Sequence, residues 1–235
     1  MVKLRRMALL GLGIGLCGAL AYLAWPRAAS LRRFSPQAIG HMETAMWRSY
    51  YEHRYVALFH QLYRMNREQY GFSPWTSFRI AYCAAKAANV FQPSTSRAEA
   101  RAAIPWLVRY YGIIKADTRE PFDVQRAAEL ELDWWQQRRE DATPAEYGKV
   151  IAQVAAEVYQ TDNDDIQQAS ALRAAMMQFR DERSGGRMRE QDWYIVEDGL
   201  GRAFALLKHA VSGERSRAKP ASAHAKPASA HAFTD

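Results

Sequence analysis

From Met7 to Trp25 the chain runs through 19 residues without one charged side chain. A helix needs about 20 predominantly apolar residues to cross a bilayer. Lys3, Arg5 and Arg6 precede the run, and Pro26-Arg27 close it. The pattern predicts one N-terminal transmembrane helix over residues 7–25, acting as a signal-anchor. A cleaved secretory signal has a shorter apolar stretch, about 7–15 residues, ending at a small-x-small site. Ala19-Leu20-Ala21 offers such a site, but the run continues through Tyr22 and Trp25, which suit a membrane interface. Leu16 directly before Cys17 argues against lipoprotein processing, where a small residue is wanted.

Sidedness follows from the flanking charges. Lys3, Arg5 and Arg6 are nearly balanced by Arg27, Arg32 and Arg33. The tight cluster at the very start places the N-terminus in the cytoplasm and the rest on the outer (periplasmic or extracytoplasmic) side. Within the run, Gly11 and Gly15 have G-x-x-x-G spacing and Gly18 extends the stripe. Such a groove lets two membrane helices pack closely as a homodimer, but small residues are common in membrane helices generally, and that plainer reading is preferred.

The net charge of +7 is unevenly spread. Residues 1–33 hold six basic and no acidic side chains, and the stretch from Glu214 holds four basic and two acidic ones. Residues 34–213 are left with a net charge of −1. A nucleic-acid binder needs a basic face for phosphate contacts, so no nucleic-acid partner is expected. Cys17 lies in the apolar run and Cys83 stands alone, which excludes a disulfide framework and a Cys-rich metal site.

Residues 34–213 are long enough for one domain with a proper core. Six tryptophans (47, 75, 106, 134, 135 and 193) make that core aromatic. Helix starts punctuate it. Ser35-Pro36 and Ser73-Pro74 put a capping hydroxyl before a proline at the first helical position. Thr143-Pro144-Ala145-Glu146 adds the acidic residue of a capping box, as does Ser96 with Glu99. Helices are predicted at 36–69, 74–91, 97–111, 121–140, 144–160, 164–182 and 189–212, with Pro105 kinking the third. No stretch alternates as a strand would. The fold class is therefore all-α: the transmembrane helix, then a bundle of about seven helices with short antiparallel connections. No repeat of solenoid length stands out. From 214 to 235 the chain repeats Ala-Lys-Pro-Ala-Ser-Ala-His twice, a composition that builds no core and predicts a disordered tail.

Several constellations invite chemistry. His53 and His60 lie seven residues apart on the first predicted helix, with Glu43 and Glu68 near that stripe. The apolar stripe Trp47, Tyr51, Tyr55, Leu58 and Leu62 occupies the opposite side, so the histidines read as a polar face and no metal is expected. The ferritin-like di-iron pattern needs Glu-x-x-His, which is missing from this chain. Tyr82 and Lys86 form a Tyr-x-x-x-Lys pair that resembles the catalytic pair of short-chain dehydrogenases. That family also requires a Gly-rich phosphate turn after a strand, and here the Gly cluster sits in the apolar run. Asp162, Asp164 and Asp165 resemble the start of a calcium loop, but Gln167 and Arg173 stand where an EF-hand wants Gly and Glu. The aspartates read instead as a helix start. Glu129 and Asp133 form an i, i+4 carboxylate pair with no evident partner.

Arg173 and Arg180 are the least ordinary pair, seven residues apart on a helix otherwise lined by Ile166, Ala169, Met176 and Phe179. An arginine on such a stripe either pairs with a buried carboxylate or faces a polar pocket for an anionic ligand. Pairing is the expectation, with Asp133 or Glu131 on the Trp-rich helix as partner. The sequence thus describes a membrane-anchored helical interaction or scaffold module with protein partners. The alternative is a membrane-tethered enzyme or carrier with an aromatic, Arg-containing pocket for a hydrophobic or anionic ligand. Neither reading calls for a cofactor.

Overall fold

The computed structural model describes residue 13 and residues 15–23, 28–183 and 188–212. From Pro36 onward they form α1 (Pro36–Tyr51), α2 (Tyr55–Glu68), α3 (Pro74–Phe91), α4 (Arg97–Ala100), α5 (Ile104–Thr118), α6 (Val124–Arg139), α7 (Pro144–Tyr159), α8 (Asp164–Glu182) and α9 (Glu190–Ser212). A 3-10 turn, Arg101–Ala103, joins α4 to α5. The described residues contain no strand, so the domain is all-helical.

The caps are where the hydroxyls and prolines place them. Ser35, Ser73, Ser96, Asp123 and Asn163 each accept a hydrogen bond from a backbone N–H of the following first turn, satisfying a donor the helix leaves orphaned. At Thr143 the Glu146 carboxylate returns to the Thr143 backbone N–H at 2.8 Å, completing a capping box. Ser96 behaves differently. Its hydroxyl caps Glu99, but the Glu99 carboxylate reaches past it to the backbone N–H of Thr95 at 2.8 Å.

Two boundaries depart from the sequence reading. The predicted helix 36–69 is two helices, broken at Glu52-His53-Arg54, where His53 takes a left-handed φ of 57°. The chain turns back there by a bond from the Arg54 N–H to the Ser49 carbonyl at 2.8 Å. Pro105 does not kink a continuous helix. It falls in the first turn of α5, just after the 3-10 turn, where its missing N–H costs nothing, and α5 then runs on to Thr118.

The eight long helices rise and fall in turn around a closed ring. Each packs against its neighbours along the chain, α5 standing next to α3, and α9 returns to pack on α1 in the most extensive interface of all. One end of the ring gathers residues 28–35, the turns after α2, α5 and α7, and the end of α9. Arg32 ties this lower end together. Its guanidinium donates to the Val211 carbonyl at 2.9 Å and the Tyr159 carbonyl at 2.7 Å and pairs with Glu120 at 3.2 Å. Leu31 is buried beside it, so residues 28–33 pack as part of the helical domain. The upper end is held by Gln92 on Tyr50 and by Arg139 on the Phe91 and Ser94 carbonyls.

The closure of the ring depends on a glycine. Gly40 of α1 lies so close to α9 that a Cβ there would stand 2.7 Å from the Gly201 nitrogen.

Of the apolar run, Gly13 and residues 15–23 are helical; residues 7–12, 14, 24 and 25 lie outside the described residues. Among the described residues no helix is long and apolar enough to cross a membrane. The predicted tail, 214–235, also lies outside them.

Candidate functional site

The inner face of the ring is polar and aromatic. On α1, Glu43, Trp47 and Tyr51 are spaced i, i+4 and i+8, which puts them on one face, and that face looks across the ring. Glu43 is 6% exposed. Its carboxylate accepts two bonds from the Arg173 guanidinium of α8, at 2.8 and 2.6 Å. This corrects two expectations. Glu43 is not on a solvated stripe with His53 and His60, because the break at His53 removes the continuous helix that defined that stripe. The partner of Arg173 is Glu43, not Asp133 or Glu131. Arg173 also lies 5.7 Å from the ring centre of Trp134 on α6. Burial pulls its pKa down, and the charge and hydrogen bonds of Glu43 more than reverse that, holding it firmly cationic.

Arg180 sits nearer the upper end. Its guanidinium carbon lies 3.0 Å from the ring centre of Tyr51 and its Nη1 is 3.0 Å from Asp181. Arg138 of α6 reaches the same aspartate at 2.6 Å and donates to the Tyr51 hydroxyl at 2.8 Å. Two arginines thus share Asp181 under an aromatic lid. Further round, Glu131 accepts from the Tyr111 hydroxyl at 2.9 Å and from the Trp135 indole N–H at 3.0 Å. Trp47 packs on apolar clusters of both α7–α8 and α9. The aromatic richness of the sequence has its use here, since helices on opposite sides of a ring can meet only through long side chains.

Burial is the main cause that pushes the hydroxyls of Tyr70, Tyr110, Tyr111 and Tyr159 above the ordinary value of 10.0. An unfolded chain releases those protons near pH 10, while the native state holds them. Above that pH the unfolded state therefore binds fewer protons, and stability falls as pH rises. Alkaline titration should show these phenols ionising together with loss of helical ellipticity, after the exposed tyrosines have titrated. Smooth ionisation of every tyrosine with the helices intact would contradict their burial.

The outer surface carries a second constellation. On α3, Trp75, Phe78 and Tyr82 are exposed at 53%, 42% and 44%. Their rings stack nearly parallel, Trp75 on Phe78 at 5.7 Å and 11°, Phe78 on Tyr82 at 6.3 Å and 13°. Tyr82 then meets Trp106 of α5 edge-on at 5.9 Å. Between α3 and α5 lies an open cavity of about 670 Å³, floored by Cys83 and Gly112 and flanked by Arg79 and Arg109. Lys86 and Arg109 stand 5.4 and 5.0 Å from the Trp106 ring centre. Burial pushes the Cys83 thiol up, and the charges of Arg79 and Arg109 pull it back. Arg79 of α3 and Arg109 of α5 thus line the same cavity as the Cys83 thiol. Among the described residues ten arginines pair with carboxylates. Arg79, Lys86 and Arg109 do not.

The remaining candidates resolve into structure. Tyr82 and Lys86 both stand against the Trp106 ring rather than facing one another as a catalytic couple. Asn163 caps α8, and Asp164 and Asp165 fill its first turn, where negative charge suits the helix dipole. Asp133 accepts from Arg97 and Gln137, and Glu129 from Gln125. His53 bonds the Tyr55 hydroxyl at 2.8 Å. Among the described residues no cluster of three His, Cys, Asp or Glu side chains could hold a metal ion. Gly15 and Gly18 are exposed on their helix, with open space where a Cβ would stand, and Gly11 lies outside the described residues. Sequence reasoning passed over the α3–α5 groove, although Trp75, Phe78, Tyr82 and Lys86 recur at helical spacing. Comparison with protein families, with curated proteins and with solved structures finds no match to this chain.

Proposed function

We propose that this protein is a single-pass, membrane-anchored interaction module. Residues 7–25 span the membrane, the helical ring stands on the outer side, and the α3–α5 groove is the face that receives a partner. The observation that carries the binding role is the groove itself. A row of stacked aromatic rings left in water, edged by three cations that have no carboxylate, is surface held ready for an occupant. Anchoring is supported by the described part of the apolar run, where Leu16, Leu20 and Leu23 are 60%, 55% and 43% exposed. An apolar helix that the domain leaves uncovered is stable only against lipid or another helix. A homodimer through Gly11, Gly15 and Gly18 belongs to the same reading.

Alkaline carbonate extraction of membranes holding the full-length protein, followed by external protease on intact spheroplasts, tests it. The protein should stay with the membrane and lose its domain to the protease. Release by carbonate would end the anchored reading, and cleavage only in inverted vesicles would reverse the sidedness. Unchanged crosslinked dimers on Gly15→Ile would remove the homodimer.

A second reading, a tethered carrier or enzyme with an aromatic, Arg-containing pocket, is favoured by the groove's volume, which falls within the range of about 300–1,000 Å³ typical of small-ligand sites. Its arginines would be Arg79 and Arg109 rather than Arg173 and Arg180, which are engaged with carboxylates and rings.

A further inference from the structure

The α3–α5 groove lies close to where the chain would leave the bilayer, and this inference rests on the anchored reading above. Trp25 and Ala28 are three residue steps apart, a span of at most about 11 Å. Ala28 lies against Gly71, where a Cβ would stand 3.7 Å from the Ala28 carbonyl, and Ser30 donates to the Tyr70 carbonyl at 3.0 Å. Trp75 follows four residues after Gly71 and opens the aromatic row at the ring's lower end, opposite Ala116 and Asp117. The groove therefore starts at the membrane-facing end of the domain and rises along its flank, with Arg79 one turn above Trp75.

Its chemistry fits an occupant with two parts. Tryptophan and tyrosine rings beside arginine and lysine are the residue types found at bilayer surfaces, where an apolar body and a polar tip are both satisfied. Arg79 and Arg109 line the same cavity from α3 and α5, and a guanidinium's forked donors suit phosphate oxygens. Arg79 and Arg109 in the lining, with Lys86 at its Trp106 edge, outweigh the single lining acid Asp117 and make the groove complementary to an anion. The domain as a whole is near neutral, so this attraction is local.

We infer that the groove seats an anionic phospholipid drawn from the membrane in which the protein is anchored, its phosphate between Arg79 and Arg109 and its apolar part along Trp75, Phe78 and Trp106. The lipid would hold the ring in a fixed pose on the bilayer and fill surface that is otherwise uncovered.

Native mass spectrometry of the full-length protein tests this, after equilibration in detergent micelles holding equal phosphatidylglycerol and phosphatidylcholine. One phosphatidylglycerol per chain should be retained in clear preference to phosphatidylcholine. The double variant Arg79→Ala/Arg109→Ala should lower that retention about tenfold, equivalent to about 1.4 kcal/mol. Both arginines are exposed and unpaired, so the variant keeps its fold, which an unchanged melting temperature would show. Equal retention of the two lipids, or an adduct unaffected by the double variant, overturns the inference. So does a stoichiometric acidic protein subunit in place of lipid. Carbonate extraction is read separately. A protein released by carbonate that still prefers phosphatidylglycerol would refute the anchor and keep the lipid site. A carbonate-resistant protein with no preference would do the reverse.

Discussion

Arg173→Ala destabilises the domain by about 3–5 kcal/mol, the cost of leaving one member of a buried ion pair alone. The carboxylate it abandons, Glu43, has a side chain only 7% exposed, and both hydrogen bonds that the Arg173 guanidinium makes go to it. Without them the charge must either stay buried and unpaired or take a proton. At about 2–4 °C per kcal/mol for a domain of this size, the melting temperature should fall by roughly 10 °C. Glu43→Leu/Arg173→Met should recover much of the loss, because replacing both partners by apolar groups is often near neutral. The pair's net worth is thus far smaller than the cost of breaking it. Thermal unfolding of the two single variants and the double variant gives the coupling directly. An Arg173→Ala protein that melts like the parent would instead mean that Glu43 finds water or another cation. Arg173 would then return as a candidate ligand-binding residue.

That pair also marks where sequence reading stops. The helix starts at Ser35, Ser73, Thr143 and Asn163 are local chemistry, a side-chain oxygen and the next turn's N–H, so they can be read within four residues. Most stops are legible too: the predicted ends at 140 and 160 fall one residue from the observed Arg139 and Tyr159. Arg119, Asp141 and Gln160 end or follow helices with left-handed φ values of 59°, 58° and 50°, as His53 does. None is glycine, and at His53, with helical residues on both sides and no proline or glycine nearby, the break went unread. The missed break at His53 then propagated. It joined α1 to α2, gave them one false polar face, and moved Glu43 onto it, although Glu43 is one turn from Trp47 and shares its face. Its partner could not be read at all, since Arg173 is 130 positions away and the pairing exists only because the ring closes. The groove was partly legible: the aromatic spacing on α3 is visible in the sequence, whereas Arg109, which joins it from α5, is brought there by packing.

Gly40→Ala should destabilise the domain by about 1–3 kcal/mol, the usual cost of forcing atoms into a packed interface. Gly201→Ala, against the same seam, should be neutral or stabilising by up to about 1 kcal/mol. The two glycines meet where α9 closes on α1, but they are not equivalent. A Cβ on Gly40 would stand 2.7 Å from the Gly201 nitrogen, 2.8 Å from its Cα and 3.2 Å from the Leu200 carbonyl carbon. These are backbone atoms, which cannot swing aside as a side chain can. A Cβ on Gly201 meets nothing within 4 Å, so alanine there simply removes the entropic penalty of a mid-helix glycine. Chemical denaturation of the two variants should therefore move their midpoints in opposite directions. If both are stabilising, α9 does not press on α1 as described and the ring is more open at that seam. The effect should reach further than the seam. Glu43 follows Gly40 by one helical turn, so a shift of α1 away from α9 also draws the carboxylate from Arg173. Gly40→Ala combined with Arg173→Ala should then cost less than the two separately. Strict additivity would show that the seam and the buried pair are independent, and that the inner face tolerates a looser ring.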